Sequence, residues 1–328
     1  MRVRPDYRVV SGSAPTGPDG RAGLRKIVQQ STIILSRQHG FGIQSDDPAN
    51  TMTPDDYCQQ KAAQSGSSFY YSFLFLPKER RRAITALYAF CREVDDVVDE
   101  IADPQVAATK LSWWRREVAA AYQGAPTHPV MQALAPFAKP YSISEKRLNE
   151  IMDGMEMDLL QTRYLDFIAL EKYCYHVASV VGLMACEIFG RTEEKTLEYA
   201  HQLGLAFQLT NIIRDVGDDA RRGRVYLPVN ELQQFNVPVA DVLNAKYSDN
   251  FTRLMAFQAE RAQAYYERAF AALPGVDRKT QRPGLIMAAI YRALLDEITR
   301  DNYQVLHQRT SLTPIRKLWL AWKTYTFG

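Results

Sequence analysis

The residue pattern with the clearest chemical meaning is an acidic cluster inside an apolar stretch. Asp95, Asp96, Asp99 and Glu100 place four carboxylates within six residues. Residues four apart share one face of a helix, so Asp95 and Asp99 present neighbouring oxygen ligands of the type that Mg2+ prefers. Arg92 lies one turn earlier, where its guanidinium can hold a phosphate oxygen. A solvated acidic helix face is the alternative for this cluster alone, although its apolar neighbours argue against it.

A second polar stripe lies more than a hundred residues further along the chain. Gln208, Asn211, Asp215 and Asp219 recur at helical spacing, while the isoleucines between them can pack elsewhere. Buried capping or hydrogen-bonding roles would explain Asn211 and Asp215 separately, but Asp219 in the same register favours one ligand set. The two stripes, if they face each other, predict a single Mg2+ cage that binds a diphosphate.

Three other segments keep two interpretations each. The carboxylates between Asp153 and Asp158 either approach the metal cage or stand on their own helix surface. The small, apolar run over residues 177–186 either lines a greasy tunnel or packs as an ordinary helix. Ser65 and Ser68 either supply hydroxyls to a phosphate at a helix terminus or belong to a capped turn, since the segment lacks a P-loop sequence.

The composition fits a globular protein and excludes several classes. The chain has 328 residues, 46% of them hydrophobic, which suffices for a substantial core. Residues 1–51 contain seven Arg and Lys against four Asp, and the remainder holds 33 of each sign, a balance that does not indicate nucleic-acid binding. The four cysteines form no CxxC pair, which predicts reduced thiols in the cytoplasm. No apolar run reaches the roughly 20 residues of a membrane span.

The chain divides into a leader and one helical domain. Residues 1–51 lack periodicity, which predicts a disordered leader or, because a helix start follows Met52 at once, a mis-assigned translation start. Over residues 52–328, apolar spacings of three and four dominate, and prolines break the pattern into about ten helices without a long linker. The predicted fold is all-α and single-domain.

With these motifs in view, the sequence resembles the squalene/phytoene synthase family of head-to-head trans-prenyltransferases. The resemblance covers residues 53–310 and rests on two segments, YAFCR at 88–92 leading into DDVVD, and NIIRDVGDD at 211–219 leading into RVYLP at 224–228. The residues around the first cluster, CREVDDVVDE, together with DGMEMD at 153–158, are most similar to presqualene diphosphate synthases of the bacterial hopanoid pathway.

The resemblance implies an isoprenoid synthase-type helical bundle in which two aspartate-rich helices face each other across a central cavity. It assigns metal binding and catalysis to Asp95, Asp96, Asp99, Asp215 and Asp219, a stripe that Asn211 extends. It places Tyr88 and Tyr173 near the reacting carbons. Diphosphate contacts, or support of that site, fall to Arg92, Gln208, Asn211, Arg214, Tyr226, Tyr291 and Arg309.

The implied reaction joins two farnesyl diphosphates head to head into presqualene diphosphate and releases one diphosphate. Mg2+, for which Mn2+ can substitute, would neutralise the departing diphosphate so that the allylic carbon–oxygen bond ionises. Two sister activities are the alternatives: phytoene synthase, which would use geranylgeranyl diphosphate, and an NADPH-dependent squalene or dehydrosqualene synthase. NADPH is not expected. An inactive helical scaffold is the non-enzyme alternative, and the intact aspartates argue against it.

The C-terminal end predicts either membrane contact or ordinary packing. Residues 316–325 read RKLWLAWKTY, and no acidic residue follows Asp301. Such a basic, aromatic helix can rest on a bilayer surface, or it can pack on the domain with its lysines solvated. We therefore predict prenyl diphosphates as binding partners, no nucleic acid, and a cytoplasmic protein, which membrane contact through this helix would place peripherally at the inner face of the membrane. No oligomeric state is predicted.

Overall fold

The computed structural model describes residues 7–10, 52–64 and 69–328, and helices make up most of them. The first helices are α1 (Pro54–Gln64), α2 (Phe69–Phe73), α3 (Lys78–Glu100), α4 (Pro104–Tyr122), α5 (Pro129–Ala138) and α6 (Glu145–Leu160). They are followed by α7 (Phe167–Cys174), α8 (Val180–Phe189), α9 (Lys195–Arg221), α10 (Val229–Gln234), α11 (Val239–Leu243), α12 (Asp249–Ala272), α13 (Arg282–Arg300) and α14 (Pro314–Phe327). Two strands, β1 (Tyr7–Val10) and β2 (Arg309–Leu312), pair in parallel.

The predicted all-α fold is confirmed. Apart from the two strands and one bridge between Arg163 and Val225, the described residues form helices and their connections. The short helices α2, α10 and α11 have five or six residues each, too few to show an apolar stripe, so the sequence predicted fewer helices. Within the predicted leader, residues 7–10 form β1, and the rest of residues 1–51 lies outside the described ranges. In those ranges, no helix is long and apolar enough to span a bilayer.

The two acidic motifs lie near the C-terminal ends of the long helices α3 and α9. On α3, Val94, Val97 and Val98 are buried in the core, while Asp95 and Asp99 belong to another face of the helix. On α9, most apolar side chains are likewise buried, while Asn211, Asp215 and Asp219 belong to the face that lines the cavity. The amphipathic spacing that burial requires therefore also aims the carboxylates away from the core.

The bundle contains two clusters of buried side chains. Phe90 of α3 and Trp114 of α4, whose rings meet edge to face at 5.8 Å, belong to the first cluster. Ile213 of α9 and Tyr266 of α12 belong to the second. Helix α8 contributes to both clusters, Met184 to the first and Cys186 to the second, and a π-helical turn, Tyr175–Ser179, joins it to α7. The space left between the clusters holds the candidate site.

Candidate active site

A cavity of about 1310 Å3 separates the two core clusters. Charged side chains line one end of it, which we call the charged end: Asp95 and Asp99 from α3, and Asp215 and Asp219 from α9. Small and apolar side chains line the other end, which we call the apolar end: Val181, Ala185, Leu203 and Met287 among them. This arrangement suits an elongated molecule with an anionic head and a hydrocarbon tail.

Asp95 faces the charged end from α3. The Arg92 guanidinium binds the Asp95 carboxylate at 2.5 Å and that of Asp96 at 2.6 Å. The Asp95 side chain is 36% exposed, but this exposure is to the cavity, and protein surrounds it elsewhere. Burial therefore raises the pKa of Asp95 to about 6 despite the Arg92 charge, and the Asp99 carboxylate adds to the rise. A cation in the cavity would relieve this unfavourable charge.

Asp99 connects the two acidic helices. Its carboxylate binds Arg222 at 2.8 Å and Arg224 at 3.0 Å, and both arginines directly follow α9. Arg224 also donates to the carbonyl of Val98 at 3.3 Å. These contacts tie the end of α9 to the end of α3, so the two motifs meet at the same end of the cavity.

Two guanidinium groups hold Asp215 on α9. The Arg214 Nε donates to Asp215 Oδ1 at 2.7 Å, and the Arg309 Nε donates to the same oxygen at 2.7 Å. Burial alone would raise the pKa of this carboxyl group, but the two arginines outweigh that effect and lower the pKa of Asp215 to about 2. Asp215 is therefore ionised throughout the physiological range.

Asp219 and Asn211 complete the stripe along α9. Burial and the charge of Asp215 raise the pKa of Asp219 to about 8. The Asn211 amide donates to Gln208 Oε1 at 3.3 Å, while its own Oδ1 is buried and accepts no hydrogen bond among the described residues. A buried acceptor without a partner is unfavourable by about 1–3 kcal/mol. The unpaired Asn211 carbonyl oxygen lies one helical turn before Asp215 on the same face of α9, and amide and carboxylate oxygens of this kind are donors that fit a hard cation.

Gly217 allows the chain before β2 to approach α9 closely. The Gly217 N–H donates to the Val305 carbonyl at 3.2 Å. The Leu306 carbonyl oxygen lies only 2.1 Å from the place that a β-carbon on Gly217 would occupy. Arg221 donates to the same carbonyl at 3.1 Å. This approach fixes the segment that leads to Arg309, and hence the contact between Arg309 and Asp215.

Asp158 joins the charged end from α6, which settles the open interpretation of that residue. The hydroxyls of Tyr173 and Tyr226 each donate to its carboxylate at 2.8 Å. The two rings stack with their centroids 5.3 Å apart, and Tyr164 stacks on Tyr226. Burial raises the pKa of Asp158 to about 6, although the two hydroxyls oppose the rise. Burial also raises the pKa of Tyr173 well above its usual value, so its hydroxyl stays protonated.

Aromatic rings line the wall beside the carboxylates. The Phe69 ring lies 5.6 Å from Tyr88 and 6.4 Å from Tyr291, and the Tyr291 ring lies 4.9 Å from Phe207. All four rings line the cavity. Because the face of an aromatic ring attracts positive charge, this part of the wall suits a cationic reacting carbon.

The apolar end confirms the tunnel interpretation of the run at 177–186, because six of its residues line the cavity: Val177, Ala178, Val181, Gly182, Ala185 and Cys186. The cavity follows α9 from Asp219 to Tyr199, a span of ~30 Å at the helical rise of ~1.5 Å per residue. Tyr199 is fully buried, and its hydroxyl has no hydrogen-bond partner among the described residues. We place the end of the tunnel at this ring.

Most of the predicted site residues meet in this cavity. Its wall contains Tyr88, Arg92, Asp95, Asp99, Tyr173, Gln208, Asn211, Arg214, Asp215, Asp219, Tyr226, Tyr291 and Arg309. It does not contain Asp96, whose carboxylate binds Lys61 of α1 at 2.8 Å. Ser65 and Ser68 lie outside the described residues.

Four cations that line the cavity escaped the sequence reasoning as individual residues: Arg221, Arg222, Arg224 and Lys317. Arg224 opens the RVYLP segment, so its position beside the second motif was the available signal. Lys317 lies in the basic C-terminal stretch that predicted membrane contact, yet it lines the cavity. Burial and the neighbouring charges of Arg214 and Arg309 lower the pKa of Lys317. Three cations therefore share this corner, which favours an anionic ligand there.

In the described part of the chain, no three carboxylate, imidazole or thiol side chains converge closely enough to hold a metal ion by themselves. Mg2+ commonly binds through one or two carboxylates and completes its shell with substrate phosphates and water. Asn211 Oδ1 and the cavity-lining aspartates are oxygen donors of this kind. The magnesium site stays a prediction, and the chemistry of these residues fits that ion.

The family follows from a comparison with known proteins. The family model described as squalene/phytoene synthase matches residues 62–316, which include both acidic motifs. The chain belongs to the squalene/phytoene synthase family. This confirms the family resemblance and makes the protein a member of a family of prenyltransferase-type enzymes.

Several members of the squalene/phytoene synthase family are similar over most of the chain. The phytoene synthase of Arthrospira platensis is 34% identical over 284 residues, which cover 83% of this chain and 92% of the relative. The 15-cis-phytoene synthase of Synechococcus elongatus is 37% identical over 276 residues, which cover 80% and 89%.

Solved structures show the same helical fold. A dehydrosqualene synthase in complex with ligand superposes with a TM-score of 0.74 at 26% identity, covering 84% of this chain and 96% of that one. The squalene synthase HpnC from Alicyclobacillus acidocaldarius gives a TM-score of 0.67 at 25% identity, covering 76% and 94%. The predicted isoprenoid synthase-type bundle around a cavity is thereby confirmed.

Proposed function

We propose that this family member condenses two farnesyl diphosphates head to head into presqualene diphosphate, in a Mg2+-dependent reaction. The observation that supports it most is one cavity with carboxylates and guanidinium groups at one end and a long apolar tunnel at the other. In the proposed reaction the C1–O bond of one substrate breaks. Its C1 then bonds to C2 and C3 of the other substrate, and a proton leaves C1. The products are presqualene diphosphate, diphosphate and one proton.

The residues of the charged end bind the two diphosphates and hold them in one orientation. Arg92, Arg214, Arg309 and Lys317 are among the cations that line this end and can contact phosphate oxygens. Asp95, Asp99, Asp215, Asp219 and Asn211 would hold the magnesium, which supplies the positive charge that stabilises the departing diphosphate. Holding both substrates in one geometry removes much of the entropic barrier to their reaction.

The rest of the wall protects the reacting carbons. The apolar end excludes water, and the rings of Tyr88 and Tyr291 stabilise positive charge. Tyr173 and Tyr226 donate to Asp158 and remain protonated, so they position this carboxylate and do not accept the proton. The departing diphosphate is then the proton acceptor within the charged end.

Substrate length distinguishes the proposal from its main competitor. The residues around the first acidic cluster, the DGMEMD segment at 153–158 and the solved dehydrosqualene and squalene synthase structures favour the fifteen-carbon substrate. The identity of 34–37% to phytoene synthases favours the twenty-carbon geranylgeranyl diphosphate, which makes phytoene synthase the second candidate. The charged end would serve either substrate, so the tunnel decides.

The test is product identification by mass spectrometry after incubation with Mg2+ and either farnesyl or geranylgeranyl diphosphate, each with and without NADPH. We expect presqualene diphosphate from the fifteen-carbon substrate, unchanged by NADPH. Squalene that forms only with NADPH, or phytoene from the twenty-carbon substrate, would assign a sister activity. If neither substrate gave a product, the proposal that the protein is an enzyme would be contradicted.

A variant pair connects the product to the charged end. Asp215→Ala should abolish turnover while the helical circular dichroism signal persists. Glu260→Ala, which removes an exposed carboxylate from the middle of the long helix α12, is the matched control and should leave turnover unchanged. Turnover of Asp215→Ala close to that of the control would remove the role of this residue in metal binding.

A further inference from the structure

Three large apolar side chains near the charged end are exposed to solvent. Leu160 is 86% exposed, Leu165 75% and Ile168 77%. They fall within nine residues at the connection between α6 and α7, and we call them the apolar tip. A single exposed leucine is ordinary, but a cluster of this kind on a domain surface marks a contact site. We propose that the apolar tip docks the protein on an anionic phospholipid bilayer.

The backbone of the apolar tip is firmly held, so its exposure is not the result of a loose loop. Three backbone N–H groups of residues 225–230 donate to carbonyl groups of the tip. Val225 donates to Thr162 at 3.1 Å, Val229 to Tyr164 at 2.9 Å, and Asn230 to Leu165 at 3.0 Å. Asp166 caps α7 by accepting from Ala169 N at 2.9 Å. A surface already fixed in its binding conformation loses little entropy on docking.

The apolar tip is continuous with the charged end. The loop that holds its backbone also carries Arg224, which binds Asp99, and Tyr226, which binds Asp158. Arg163 spans both loops, because its guanidinium donates to the Gly223 carbonyl at 2.7 Å. The tip therefore adjoins the loop that forms part of the charged end. On the proposed function, both the substrates and the product carry long prenyl chains, for which a bilayer is the natural reservoir.

The charges around the tip complement an anionic surface. Lys172 is exposed and lies one turn after Ile168 on the same face of α7. Arg221, the last residue of α9, and Arg222 after it are half exposed; both also line the cavity and Arg222 binds Asp99, so only part of their charge faces the surface. The nearby acid Glu171 faces inwards, where it accepts from the Tyr265 hydroxyl. Basic side chains beside inserted apolar ones are the combination that holds a protein on anionic lipid.

The basic helix α14 is the competing surface, since the sequence predicted membrane contact there. It also exposes large apolar side chains, Ile315 at 72% and Phe327 at 75%. However, Lys317 lines the cavity and Arg316 binds Glu297 at 2.7 Å, so part of its basic character is directed into the protein. The same experiment can therefore compare both surfaces.

The experiment is sedimentation of the full chain with large unilamellar vesicles of phosphatidylcholine, with and without phosphatidylglycerol. We expect binding that increases with phosphatidylglycerol. The triple variant Leu160→Ser, Leu165→Ser, Ile168→Ser should reduce the partition coefficient at least tenfold, which corresponds to about 1.4 kcal/mol. Val276→Ser, at a side chain 64% exposed and elsewhere on the surface, is the matched control and should bind as the unmodified chain does.

Each other outcome has a defined meaning. Equal binding of the triple variant, or no binding of the unmodified chain, would overturn the proposal and leave the tip to a protein partner. Loss of binding only in the pair Ile315→Ser, Phe327→Ser would assign the contact to α14. Turnover of detergent-dispersed substrate tests the proposed function separately: the triple variant should retain it, because the tip does not line the cavity. If no variant turns over substrate but the triple variant alone loses vesicle binding, the proposed reaction fails and the docking surface stands.

Discussion

The close approach at Gly217 gives the sharpest test of how the charged end is assembled. A β-carbon added to Gly217 would lie 2.1 Å from the Leu306 carbonyl oxygen and 2.6 Å from that of Val305, whereas ordinary contacts begin near 3.4 Å. Both obstacles are backbone atoms, which cannot rotate away as the tip of a side chain would. In Gly217→Ala, residues 305–306 must therefore retreat from α9 by more than an ångström.

This displacement should also move Arg309, which lies three residues after Leu306 and contacts Asp215. The Arg309 Nε lies 2.7 Å from Asp215 Oδ1, so a shift of that size breaks the hydrogen bond and displaces a diphosphate-binding cation. A misplacement of about 1 Å in a positioning group lowers the rate about a hundredfold, equivalent to ~2.7 kcal/mol of transition-state stabilisation. Overpacking itself should destabilise the fold by about 1–3 kcal/mol, partly offset by the higher helix propensity of alanine, ~1 kcal/mol.

The assay is the rate of diphosphate release from farnesyl diphosphate, with thermal unfolding measured in parallel. Gly275→Ala is the control, because nothing lies within 4 Å of the β-carbon that it would add. We expect kcat/KM to fall about a hundredfold in Gly217→Ala and to stay unchanged in the control. A folded Gly217→Ala protein whose kcat/KM stays within about threefold of the control would refute the positioning role of Gly217.

Three further predictions concern other parts of the structure. Tyr199→Ala removes the ring at the end of the tunnel and should raise turnover of geranylgeranyl relative to farnesyl diphosphate, whereas Tyr199→Phe should not; product ratios from mixed substrates measure this. Asp277, fully buried, accepts from Thr192 and Thr196, so Asp277→Ala should destabilise the fold by about 3 kcal/mol in denaturant titrations. These bonds lower the pKa of Asp277 to about 2, so its stabilisation is complete above the usual carboxyl pKa of ~4 and is lost as the pH falls through 2. Lys317→Met should raise the KM for the prenyl diphosphate more than it lowers kcat in steady-state assays, since it removes a cation that lines the charged end.

The sequence predicted the parts of the site that are encoded locally. Asp95 and Asp99, like Asn211 and Asp215, lie on one helical face because of their spacing alone, and the cavity contains all four. Spacing did not show that Asp96 is directed elsewhere, to Lys61. Neighbouring residues on a helix point about 100° apart, and only the packing of α3 against α1 decides which of two aspartates faces the cavity.

Local sequence patterns could not predict the contacts between residues that are distant in the sequence. Arg224 and Asp99 are 125 residues apart, and the hydroxyls on Asp158 come from residues 15 and 68 positions away. The two interpretations of Asp158 could therefore be separated only by the tertiary structure. The same holds for the run at 177–186, because a stripe of small apolar residues looks alike whether it faces another helix or an open tunnel.

Three of the aspartates that line the charged end are already paired with arginines. Arg92 binds Asp95, Arg222 and Arg224 bind Asp99, and Arg214 and Arg309 bind Asp215. At these three positions an arginine occupies the place beside the carboxylate that a metal ion would take, whereas Asp219 has no such ion pair among the described residues. On the proposed function, loading the site is an exchange of partners: guanidinium groups leave carboxylates for phosphates and set the carboxylate oxygens free for the cation. Each ligand then prepares the place of the other, so magnesium and substrate should bind weakly alone and tightly together, by the same factor in either order.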